Sequence, residues 1–243
     1  MRYLIYFSYD GKDFNGYQKQ DGLRTVQDEL EKALKFINGG YDTVVTSSGR
    51  TDKGVHANCA AAHFDLSVNI TEYKLKRALN SNLPGDIHVI KAEHVDNNFH
   101  ARYMVKEKEY KYYLNMGEYN PCKRYYEYQY CKKLDVNEIE KAIKYFKGEH
   151  NFKSFTPNKD IRNNYIRTIT DCYIEVINDT LVFTFRGNGF LKYQIRNMVG
   201  YLIKIGEHKK SREDIPKILK MQDRRYASIT AHPEGLYLNR VIY

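Results

Sequence analysis

Two kinds of periodicity alternate along this chain, in the same order twice, and that order constrains the fold more than any other feature. Strand-like alternation covers residues 2–9 and stops at Asp10-Gly11. Thr25 then heads a run that places Val26, Leu30, Ala33, Leu34 and Ile37 on one helical face, ended by Gly39-Gly40. A strand over 43–47 leads through a polar, glycine-flanked loop to a strand over 57–66. Thr71 heads a second helix carrying Leu75, Ala78 and Leu79, and Pro84-Gly85 breaks the chain before a strand over 86–95.

The second half repeats the order. A strand covers 106–115, and Asp135 with Glu138 has the spacing of a capping box. The helix it would open carries Ile139, Ala142, Ile143 and Phe146 and is closed by Gly148. Strands at 168–177 and 180–187 meet at Asn178-Asp179, and a long helix runs from Phe190 to Gly206. Ser211 and Asp214 head another helix, and Leu236 to Ile242 is the last strand. Two β-α-β-β-α-β runs predict an α+β fold of two ferredoxin-like halves with mostly antiparallel sheets. The expected domains are 1–104 and 105–243, joined near 100–106, with a cleft between them. The order of elements alone carries this reading, since the two halves share no sequence repeat. Lys147–Tyr165 has few periodic apolar positions and reads as an insertion lining the cleft.

Charge adds a direction. Residues 1–104 hold 13 basic and 13 acidic side chains, whereas 105–243 hold 26 and 17, so the net +9 lies in the second half. A polyanion would be gripped there, and the cleft is expected to be basic. Tyrosine is abundant at 23, and in Lys108-Glu109-Tyr110-Lys111-Tyr112-Tyr113 it interleaves with charge. Such aromatics suit stacking on unpaired bases, although tyrosine is also an ordinary strand residue. Other classes recede. No apolar run reaches the roughly 20 residues of a membrane helix, the N-terminus reads as a strand, and cytoplasmic residence is expected. Cys59, Cys122, Cys131 and Cys172 form no C-x-x-C pair and no zinc-finger spacing, so reduced thiols and no metal centre are expected. No P-loop or dinucleotide fingerprint is present, and no cofactor is expected.

The segment with the most chemistry is Gly49-Arg50-Thr51-Asp52-Lys53-Gly54-Val55-His56-Ala57. Its glycines allow a tight loop that approaches a ligand closely. Arg50 and Lys53 would keep Asp52 ionised and attract phosphate. An ionised aspartate serves as nucleophile or general base. The same pattern also fits a plain hairpin turn with a surface ion pair.

This segment closely resembles the signature of the tRNA pseudouridine synthase A family. Asp13-Phe14-Asn15-Gly16-Tyr17-Gln18, Thr25-Val26-Gln27, Phe99-His100-Ala101-Arg102, Gly189-Phe190-Leu191, Gln194-Ile195-Arg196-Asn197-Met198-Val199-Gly200 and Gly235-Leu236-Tyr237-Leu238 resemble further family segments, in order along the chain. The resemblance implies that Asp52 is the catalytic aspartate and that Tyr110 stacks on the target uracil. It implies that Arg196 pairs with the catalytic carboxylate and helps hold the flipped nucleotide, and that Arg50 contacts RNA. It implies two α/β domains around a basic cleft, a homodimer, and uridines at positions 38, 39 and 40 of the tRNA anticodon arm as substrate, with no cofactor or metal. Lys53, Glu107, Glu109 and His232 depart from the family's usual residues at their places.

Physical chemistry agrees. Pseudouridine formation breaks the N-glycosidic bond, turns the base and joins C5 to C1′, with no redox step. The enzyme must unstack a base, wall it with an aromatic ring, bring a carboxylate to it and neutralise flanking phosphates. Tyr110, Asp52, Arg196 and Arg50 are residues of those types. Asp52 could attack C6, attack C1′ or take a sugar proton. Lys159, Arg162 and Arg167 fit a phosphate patch, the reading the charge of this half favours, or simply a solvated loop. Arg196 lies in an otherwise apolar helix, where a lone arginine commonly reaches out to solvent. His56 and His63 read as packing residues. The competing readings are a non-catalytic RNA-binding protein with two RRM-like sheets, which would leave the Asp52 loop unexplained, and a nuclease, for which no carboxylate cluster or His/Lys pair is visible.

Overall fold

The computed structural model describes residues 1–157 and 164–243. They form two compact units, Met1–Lys106 with Tyr237–Tyr243, and Glu107–Leu236. The closing residues 237–243 thus group with the first unit, whereas the expected division into 1–104 and 105–243 had put them in the second. The reason lies in pairing: the strand they form runs parallel to a first-unit strand, with Tyr237 opposite His56 and Leu238 opposite Ala57.

In the first unit the elements are β1 (Arg2–Tyr9), α1 (Val26–Ile37), β2 (Thr46–Ser47), β3 (His56–Asp65), α2 (Glu72–Asn82) and β4 (Ile87–His94). β1 lies between β3 and β4 and is antiparallel to both, with Ile5 opposite Ala62 on one side and Ala92 on the other. Its alternation buries Tyr3, Ile5, Phe7 and Tyr9. α1 starts where Thr25 Oγ1 accepts the Asp28 amide, and it buries Val26, Leu30, Ala33 and Leu34. α2 is likewise opened by Thr71 and buries Leu75 and Leu79. Each fully buried leucine contributes on the order of 1.5–3 kcal/mol.

The strand expected at 43–47 shrinks to the two residues of β2, antiparallel to β3. Side chains hold the rest of that segment. Asn38 donates to Thr43 Oγ1 and accepts from the Ser67 amide, and Glu31 accepts the Val45 amide.

In the second unit the elements are β5 (Glu107–Asn115), β6 (Tyr128–Gln129), α3 (Val136–Ile143), β7 (Gly148–Asn151), β8 (Ile166–Ile177), β9 (Thr180–Gly187), α4 (Gln194–Gly206) and α5 (Asp214–Met221). β10 (Leu236–Ile242) follows and carries the chain into the first unit. β5, β9, β8 and β7 form an antiparallel sheet in that order, with Tyr110 opposite Phe185 and Tyr112 opposite Phe183. β6 is a short parallel addition to β5. Asn178 takes a left-handed φ of 55° at the β8–β9 turn.

Three local expectations change. Asp135 accepts the Glu138 amide at 3.1 Å, but the Glu138 carboxylate turns to Lys141 and Arg212, so only half of the capping box forms. α4 begins at Gln194 rather than near Phe190, because Tyr193 occupies the left-handed region and cannot lie in a helix. Ser211 and Asp214 do not cap α5; its first flanking residue is Glu213, and no side chain caps it. In Lys147–Tyr165, the described residues contribute to the core of the second unit. β7 extends the sheet, a three-ten turn follows at Lys153–Phe155, and Phe152 and Phe155 are fully buried. Lys159 and Arg162 lie outside the described residues. Among the described residues no helix is long and apolar enough to cross a membrane.

Candidate active site

Backbone and side-chain hydrogen bonds together hold the loop that carries Asp52. On its leading side Ser47 Oγ donates to the Gly49 carbonyl and the Ser48 amide donates to the Ala61 carbonyl. At the tip the Val55 amide donates to the Asp52 carbonyl, closing a turn in which Gly54 takes a φ of 76°. Asp52 is half-buried there, while Arg50 and Lys53 are exposed.

The segment 9–17 wraps this loop. Tyr9 Oη is 2.8 Å from Thr51 Oγ1, and the Tyr17 amide donates to the Thr51 carbonyl at 3.2 Å. Gly16, at φ 91°, lies so close that a β-carbon would stand 2.9 Å from the Thr51 carbonyl oxygen and 3.3 Å from the Asp52 carbonyl carbon. A side chain there would push against backbone on either side of the aspartate. The wrapping segment is anchored in turn. Arg24 makes a two-point pair with Asp86 at 2.7 and 2.9 Å and lies over the Phe14 ring, and Phe14 and Tyr17 are buried. The early Asp-Phe-x-Gly-Tyr-Gln segment therefore has a job that its sequence alone did not disclose: it supports the aspartate loop. A glycine between two aromatics at a turn was the available signal.

The other predicted residues belong to the second unit. Tyr110 is mostly buried on β5, and its ring meets Phe190 edge-on at 5.2 Å. Phe190 is thus a support that went unassigned from sequence. Beside Tyr110, Glu109 is paired with Arg186 at 2.5 Å and Glu107 accepts from Thr170. The Glu109 hydrogen bond holds the Arg186 guanidinium above its ordinary pKa. The two acidic residues flanking Tyr110 are therefore engaged within the sheet.

Arg196 does not simply reach out to solvent. Its Nε donates to the Ala231 carbonyl at 2.8 Å, the Ala231 amide donates back to the Arg196 carbonyl at 2.9 Å, and its guanidinium lies 4.8 Å over the Tyr193 ring. The rest of the Gln194–Gly200 signature builds this mount. Asn197 donates to the Phe155 carbonyl and accepts from Thr230 and Arg224. A β-carbon at Gly200 would stand 2.8 Å from the Ile229 carbonyl oxygen. Residues 224–231 are thereby fixed to α4, and they fix Arg196. The structure also records no group of three or more His, Cys, Asp or Glu that could hold a metal among the described residues.

The first unit thus holds Asp52 in a gripped loop beside two exposed cations, and the second holds a mounted arginine and a supported tyrosine. The sequence pattern of the family described as tRNA pseudouridine synthase matches residues 5–104 and 142–243. The chain belongs to this family, whose reaction is the isomerisation of uridine in tRNA. It is 44% identical over 246 residues to a protein named tRNA pseudouridine synthase A from Streptococcus pneumoniae serotype 19F, strain G54. It is 43% identical over 245 residues to one of the same name from Streptococcus sanguinis, strain SK36. In both cases the match covers 100% of this chain and 98% of the relative. Among solved structures, a crystal structure of a Cbf5-Nop10-Gar1 complex aligns at a TM-score of 0.38 and 11% identity, over 97% of this chain and 57% of that one. That likeness is too weak to bear on the argument.

Proposed function

We propose that the chain converts uridine to pseudouridine at positions 38, 39 and 40 of the tRNA anticodon arm, with Asp52 acting as nucleophile or base on a flipped-out uridine. The observation that carries this reading is the backbone grip on the Asp52 loop from both Gly16 and Tyr17. A plain surface turn has no use for such a grip, whereas a reacting carboxylate must be held in place before substrate arrives.

In this reading Tyr110, braced by Phe190, stacks on the uracil. Arg196, whose Nε and guanidinium face are fixed by Ala231 and Tyr193, pairs with the catalytic carboxylate and helps hold the flipped nucleotide. Arg50 takes a phosphate beside Asp52. Lys159 and Arg162 are assigned to phosphates on sequence grounds. The strand orders within each unit favour two ferredoxin-like halves, and the charge excess of the second half favours a basic cleft. A cytoplasmic homodimer working without cofactor or metal completes the reading.

The test is to map pseudouridine in tRNA transcripts treated with the protein, in which uridines at 38, 39 and 40 are kept or replaced singly by cytidine. Conversion confined to those positions supports the proposal. Conversion elsewhere would contradict the site assignment, and tight binding with no conversion would make the protein a non-catalytic RNA binder.

A further inference from the structure

His56 lies four residues beyond Asp52, at the first position of β3, and is almost completely buried. Its Nδ1 accepts the Gly11 amide at 3.0 Å. Its ring stacks on Tyr237, with centroids 4.6 Å apart and planes 18° from parallel. Asp10 Oδ1 stands 3.2 Å from the same Nδ1 and also accepts the Lys12 amide, which fixes the turn that presents Gly11. Gly11 is pressed against the trailing leg of the Asp52 loop: a β-carbon there would stand 2.0 Å from the Val55 carbonyl oxygen. The same short segment presses Gly16 against Thr51 and Asp52. Residues 11–16 therefore touch the loop before and after the aspartate, and His56 fastens one end of them.

The chemistry of that fastening is specific. A buried amide needs an acceptor, and the ring nitrogen of His56 meets that of Gly11 at 3.0 Å. We propose that His56, through the contacts of its Nδ1, is the positioning residue of the Asp52 loop, holding Gly11, and through it the 11–16 segment, against both legs of the loop. This rests on the reading of Asp52 as the reacting carboxylate. His56 touches no substrate in this account; it acts through the backbone.

Two substitutions separate the acceptor from the ring. His56→Phe keeps a ring of similar size to stack on Tyr237 but removes the acceptor. His56→Asn places an amide oxygen near the position of Nδ1 but removes the ring. The saturated rate of tritium release from tRNA, the KM for tRNA and the melting temperature are measured for each. A displacement of about 1 Å at a reacting group costs roughly 10²-fold in rate. His56→Phe should therefore lower kcat by roughly that factor with KM within about twofold, and His56→Asn should recover most of the rate despite a lower melting temperature. A His56→Phe enzyme with unchanged kcat, equal losses in Phe and Asn, or a change in KM alone would overturn the proposal. If His56→Phe does not fold, amide exchange of the unaltered protein decides: Gly11 should be strongly protected, and exchange at the rate of an open turn would refute the contact. Asp52→Asn run in parallel keeps the two readings apart. Turnover surviving in it would sink the Asp52 assignment, whereas its loss beside an unaffected His56→Phe would sink only the positioning role.

Discussion

Tyr110 and Arg196 illustrate how differently single residues can be read. Tyrosine on a strand signals core packing, and Tyr110 is indeed mostly buried, so sequence pattern alone could not separate a packing ring from a stacking one. Its contact with Phe190 gives the separation a test. Tyr110→Phe keeps the ring and should leave tRNA turnover within a fewfold of the unaltered enzyme. Tyr110→Leu removes the face on which a base would stack, a contact worth about 1–3 kcal/mol, and should weaken binding or turnover by roughly tenfold or more. Single-turnover rates over a range of tRNA concentrations distinguish the two, and an inactive Phe variant that binds normally would instead assign the hydroxyl to catalysis. Arg196 was recognisable only by family resemblance, because its mount is made by residues 35 positions away in sequence. Lysine cannot both donate to Ala231 and lie as a plane over Tyr193. Arg196→Lys should therefore slow the saturated rate, not merely raise KM, and a variant with altered KM alone would speak against the role.

Elements with strong periodicity and a side-chain cap were legible: β1, α1 and α2 fall where alternation, Thr25 and Thr71 put them. Elements decided by remote contacts were not. The start of α4 depends on the left-handed Tyr193, and the 38–45 segment is held by Asn38 and Glu31 instead of a ladder. The role of Gly200 was also hidden, because what it approaches is the backbone of Ile229. Gly200→Ala should cost about 1–3 kcal/mol through overpacking, seen as a lowered melting temperature. It should also slow turnover, since Ile229 and Ala231 share one strip of chain; normal turnover in a destabilised Ala variant would uncouple the strip from Arg196. The segment 99–104 carries a second, pH-dependent hook. His63 Nδ1 accepts the Ala101 amide, and burial, followed by the Arg2 and His100 charges, holds the His63 imidazole below its ordinary pKa of 6.5. The unfolded chain therefore binds the proton first. Stability is unaffected by this group above pH 6.5 and falls as pH drops through and below that value. Thermal melts from pH 8 to 5 should show the loss, and His63→Asn should flatten its slope; an unchanged slope would exclude His63 as its source.

At the scale of the whole molecule, charge was the most legible property and domain division the least. The +9 balance is carried by residues 105–243, yet the last strand of that stretch folds with the first unit, because parallel pairing to β3 overrides sequence order. If that charge grips tRNA through several phosphates, binding must be steeply salt-dependent. For 6–10 contacts, affinity should fall by roughly 10³–10⁵ between 50 and 200 mM salt. Charge reversal at Lys159 and Arg162 should flatten the slope and raise KM while leaving the saturated single-turnover rate unchanged. A slope near zero would place recognition elsewhere than in phosphate contacts. If Asp52 is the reacting carboxylate, its loss must abolish the isomerisation while leaving tRNA binding in place. Tritium release from tRNA labelled at uridine C5 measures it directly, with Asp52→Asn compared with the unaltered chain at saturating tRNA. A loss of roughly 10⁴-fold or more is expected, with tRNA affinity almost unchanged; substantial release by the Asn variant would show that Asp52 is not the reacting group.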